Sequence, residues 1–82
     1  MLNRKVIEGV EQLRDLIQDE IKEYLCKKGP VDIDVKLNCG EWVDHLKRVE
    51  LIDGIVMIIT DSGYNELFLY SLDEMIEIVD AL

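Results

Sequence analysis

Apolar residues recur through the first third of the chain at spacings of four, three, four, four and three: Val6, Val10, Leu13, Ile17, Ile21 and Tyr24. That spacing sets them on one face of a helix, and Ile7, Leu16 and Leu25 widen the stripe. Glu8, Glu11, Arg14, Asp15, Gln18, Asp19, Lys22 and Glu23 fall mostly on the other side. The pattern predicts one long helix over 3–28, with Asn3 as N-cap and Lys27-Lys28 at the negative end of the helix dipole. Gly9 is its weak point, and Gly29-Pro30 stops it. The period then changes. Val31, Ile33, Val35 and Leu37 alternate with Asp32, Asp34, Lys36 and Asn38, which predicts a strand with one buried and one wet face. Asn38-Cys39-Gly40 reads as a turn, and 39–46 shows neither period clearly.

A second strand is predicted from about Lys47 to Ile52, with Val49 and Leu51 inward. Asp53-Gly54 between two apolar runs is a strong hairpin signal. Ile55 to Thr60 is apolar on both faces, as expected of a central strand. Asp61-Ser62-Gly63-Tyr64 reads as the next turn and 65–70 as a fourth strand. Ser71 and Glu74 have the spacing of a capping box, opening a short C-terminal helix with Leu72, Met75, Ile76 and Val79 inward. The expected fold is a single two-layer α+β domain over 1–82. A long N-terminal and a short C-terminal helix pack on one face of a four-stranded antiparallel meander, in the order α-β-β-β-β-α.

A helix over 3–28 would be about 39 Å long against strands of roughly 20–26 Å. Its first turns, residues 2–10, should therefore overhang the sheet, to be covered by the 39–46 loop or by a second chain. The sole tryptophan, Trp42, lies in that loop. It is expected either to pack on the overhang or to anchor a partner, as tryptophan often does at interfaces.

Charge changes this picture. The 82 residues hold 18 Asp+Glu against 9 Lys+Arg, a net charge of −9. This excludes contact with a nucleic-acid backbone through overall positive charge. Residues 1–30 carry six acids and six bases, whereas residues 31–82 carry twelve acids and three bases. Asp73, Glu77 and Asp80 recur at i, i+4 and i+7, an acidic stripe on the last helix, with Glu74 beside it. Solubility accounts for such an excess; so does a surface for a basic partner. The expected function is that of a non-enzymatic intracellular binding or regulatory protein engaging a basic protein. A homodimeric structural domain, built through the overhang and the sheet edges, is an alternative. In size, charge and element order the chain resembles small acidic anti-restriction or anti-CRISPR proteins of phages and mobile elements. That resemblance implies a nucleic-acid-mimicking inhibitor.

Motifs for chemistry are few. His45, the only histidine, has Cys39, Glu41 and Asp44 near it in sequence, but the spacing fits no zinc pattern, and the expectation is a loop histidine and a free thiol. Asp32 and Asp34 share a strand face as a solvated pair, and Met57 and Met75 read as core fillers. The five glycines are isolated, and no P-loop, Gly-x-Ser-x-Gly or His-Glu-x-x-His occurs. No catalytic residue, metal or cofactor is expected. Cys26 and Cys39 should lie roughly 20 Å apart, too far to form a disulfide. The longest apolar run, Ile55 to Ile59, is five residues, so neither a leader nor a membrane span is expected, and the cytosol is the expected compartment.

Overall fold

The structure is a computed structural model that describes residues 9–39 and 42–82. Helix α1 (Val10–Lys28) is followed by strands β1 (Val31–Cys39), β2 (Trp42–Ile52), β3 (Ile55–Thr60) and β4 (Gly63–Glu66). A 3₁₀ turn (Leu67–Leu69) and helix α2 (Leu72–Ala81) complete the chain. The strands form one antiparallel meander in the order β1-β2-β3-β4. α1 lies against β2 and β3, α2 lies against β1, and the helices touch each other. Both helices therefore cover the same sheet face, giving the expected two-layer α+β architecture.

α1 starts at Val10 because Gly9 is fully extended (φ −169°, ψ 170°), and Val10 itself is 60% exposed. Of the expected overhang, residues 2–10, all but Gly9 and Val10 lie outside the described residues, Asn3 and Val6 among them. α1 is about 28 Å long and β2 about 36 Å, so the sheet outreaches the described helix. Gly29 ends α1 at φ 77°, ψ −171°, a conformation open essentially to glycine, while its N–H donates to Leu25 O at 2.8 Å.

Three strands differ in extent from the sequence reading. β1 runs through Asn38 and Cys39, which pair with Val43 and Trp42. β2 begins at Trp42 rather than Lys47, and the cause is a bulge. Leu46 pairs with Thr60 and Arg48 with Ile59, so Lys47 has no opposite residue in β3. On the other side, Ile33 and Asp34 together face Lys47 across the β1 register shift. The extra residue resets the alternation, so Leu46 and Val49, three apart, both point into the core. β4 is short, because the chain turns at Leu67 to bury that side chain instead of continuing to Tyr70.

The core joins Ile17, Ile21 and Leu25 of α1 to Leu37, Leu46, Val49, Val56 and Ile58 of the sheet, with Leu67, Tyr70, Met75 and Ile78 closing it. On α2, Met75 is buried as expected. Leu72, Ile76 and Val79 are only half-buried, and Ile78 takes the central place. Met57 is a correction: it lies half-buried on the face away from the helices and is not part of the core.

Candidate functional site

The outer sheet face and α2 differ in how their charge is neutralised. On the outer sheet face Asp32, Asp34 and Glu50 meet partners on β2. Asp32 and Asp34 are each 80% exposed, and each has a cationic or histidine partner on β2. Arg48 Nη1 donates to Asp32 at 3.3 Å, and Arg48 Nε sits 3.6 Å from Glu50, near enough for an ion pair but too long for a hydrogen bond. Lys47 Nζ lies 2.6 Å from Asp61 Oδ1. The hydrogen bond from Lys47 holds the Asp61 carboxyl below its ordinary value, opposed in part by desolvation, and the same contact raises the Lys47 ammonium.

His45 sits between two carboxylates. Nε2 meets Asp34, and Nδ1 lies 3.8 Å from Asp61. Because they engage opposite nitrogens of the ring, these carboxylates do not converge on a common point. Among the described residues no group of three or more His, Cys, Asp and Glu is placed to hold a metal ion. Asp32, Ile33, Asp34, His45 and Lys47 line a shallow depression of about 360 Å³, with the His45–Asp34 pair in its wall. Cys39 pairs with Trp42, whereas His45 pairs with Lys36, three positions away along β1. The side chains of Cys39 and Trp42, and all of Glu41, lie outside the described residues. Cys26 is a free, exposed thiol.

The α2 stripe is different. Ser71 Oγ accepts from Glu74 N at 3.2 Å, and Glu74 Oε1 accepts from Ser71 N at 2.9 Å, so the expected capping box is present. That box holds Glu74 at 9% exposure and takes it off the display surface. Asp73, Glu77 and Asp80 are exposed and have no ion pair among the described residues. Asp73 suits the positive end of the helix, but Asp80 stands in the last turn, where the dipole disfavours it, and α2 has no base there.

A third feature escaped the sequence reading. The residues of β3 that point away from the helices, Ile55, Met57 and Ile59, form an apolar column with no layer above it among the described residues. Ile52 pairs with Ile55, and Tyr64 with Ile59, on the same face. The signal was there in the doubly apolar run 55–60, which asks for cover on both sides.

No protein-family model, curated protein or solved structure matches the chain. Among the described residues no helix is long and apolar enough to cross a membrane.

Proposed function

We propose that this protein is a non-enzymatic, cytosolic binding or regulatory protein that engages a basic protein through its acidic surface on α2 and the adjoining sheet. The observation behind this reading is the exposed row Asp73, Glu77 and Asp80, without a neutralising base among the described residues. On the outer sheet face Asp32, Asp34 and Glu50 each have a partner on β2, whereas this row has none among the described residues. The like charges at i, i+4 and i+7 cost a few tenths of a kcal/mol per pair, which a partner's Lys or Arg would offset. A thiol left free and exposed at Cys26 suits a reducing compartment.

The test is capture from host lysate at low and high salt by the native chain and by the combined Asp73→Lys, Glu77→Lys, Asp80→Lys variant. The native chain should retain a basic protein that is released by salt, and the variant should retain at least tenfold less. Equal retention by both would remove the acidic row from the interface. A captured protein that releases the chain on addition of DNA or RNA would make it the nucleic-acid-mimicking kind. Self-association through α2 is opposed by the same charges.

A further inference from the structure

We propose that the outer face of the sheet docks a basic amphipathic helix of another protein, seated along β3. The proposal rests on the reading of a basic partner and adds a second contact to it, on the sheet face opposite α2. A sheet with one face in water alternates apolar and polar residues, whereas strands apolar on both faces belong to sheets covered on both sides. β3 is of the second kind. Val56 and Ile58 are buried under the helices, and Ile55, Met57 and Ile59 point the other way. Among the described residues the chain covers one side only.

The register shows what the other side presents. Met57 stands between Glu50 of β2 and Glu66 of β4, and Ile59 between Arg48 and Tyr64; Ile52 pairs with Ile55 beyond them. Among the described residues seven large apolar side chains are exposed. Four of them are on this face: Val43, Ile52, Ile55 at 43% and Tyr64 at 62%. From Ile55 to Ile59 the column is about 13 Å long, matched by some nine helical residues.

Charge selects the occupant. Glu50 and Glu66 flank the column on opposite sides. Glu66 is exposed and has no ion pair among the described residues, while Glu50 shares Arg48 with Asp32. A second copy of this chain would bring these carboxylates, and a net charge of −9, against their own kind. A helix with an apolar stripe bordered by Lys or Arg satisfies both the column and its rim. So small a contact area fits a transient complex.

The experiment uses the full ¹⁵N-labelled chain and two 14-residue peptides of identical Leu and Lys content. One has leucines at i, i+3, i+4 and i+7; the other is scrambled so that no stripe forms. The striped peptide should shift the amides of Glu50, Ile55–Ile59 and Tyr64–Glu66 and bind about tenfold tighter than the scrambled one. Met57→Lys should abolish that preference, and the triple α2 lysine variant should keep it. A Glu50→Gln, Glu66→Gln double variant, which leaves the apolar column intact, should weaken the striped peptide if Met57→Lys does not fold. Equal affinity for both peptides, or shifts confined to α2, would overturn the proposal while leaving the basic-partner reading in place. Binding of neither peptide at low salt would overturn both.

Discussion

Gly54 illustrates how a single residue specifies a turn. Asp53 at φ 51° and Gly54 at φ 77° are both left-handed, the pairing required by the tight hairpin that joins Ile52 to Ile55. A Cβ at Gly54 would meet nothing within 4 Å, so the demand there is conformational and not steric. Gly54→Ala should lower stability by about 1 kcal/mol, and Gly54→Asn by less, since asparagine tolerates this region. Urea midpoints of the two variants check this; equal losses would mean that packing matters there after all. Glu74 shows the limits of reading residues by type. It has the same charge as its neighbours, yet its carboxylate is turned back to cap its own helix.

At the scale of elements, Arg14 ties α1 to the far end of the chain. It donates to Tyr70 O at 3.0 Å and Phe68 O at 2.6 Å, and its guanidinium lies 5.9 Å from the centre of the Phe68 ring. The turn at 67–69 therefore holds its carbonyls toward a cation on a neighbouring helix, where local alternation alone would extend β4. Arg14→Met should cost about 1–2 kcal/mol and loosen this turn. Amide exchange should quicken at Tyr70, whose N–H donates to Leu67 O, with little change in β2 and β3. The element order, the 53–54 hairpin, the capping box and the acidic row were all legible in the sequence, because each is written in a local period or spacing. The bulge at Lys47 was not. A two-residue period read back from Val49 and Leu51 puts Lys47 inward and makes 39–46 look formless, and only pairing on both sides shows where the phase is reset. The short β4 was hidden for a related reason, since the turn that buries Leu67 also meets Arg14, more than fifty residues earlier.

For the whole molecule, pH acts through the pair that joins β2 to the β3–β4 turn. Asp61 is held below its ordinary value of 3.8, so its contribution is complete above about pH 4 and is lost as pH falls through the lowered value. Lys47 is raised above 10.5, so its contribution is complete below about pH 10.5 and is lost as pH climbs through the raised value. Both groups are exposed, and salt should weaken the effect. Against a Lys47→Met, Asp61→Asn variant, the native chain should lose more of its urea midpoint at both extremes and should track it between. Superimposable profiles would show that the pair contributes nothing. The column on β3 also belongs to this scale, because a face left uncovered among the described residues is a property of the assembled layers and not of any one strand. The meander itself has a kinetic consequence. Each strand pairs with its neighbour in sequence, so the sheet can zip through short loop closures. The Arg14 contacts instead close 54 and 56 residues. Search time is thus concentrated in one event, the arrival of the first helix at the turn before the last, and the sheet has its register before the two ends of the chain meet.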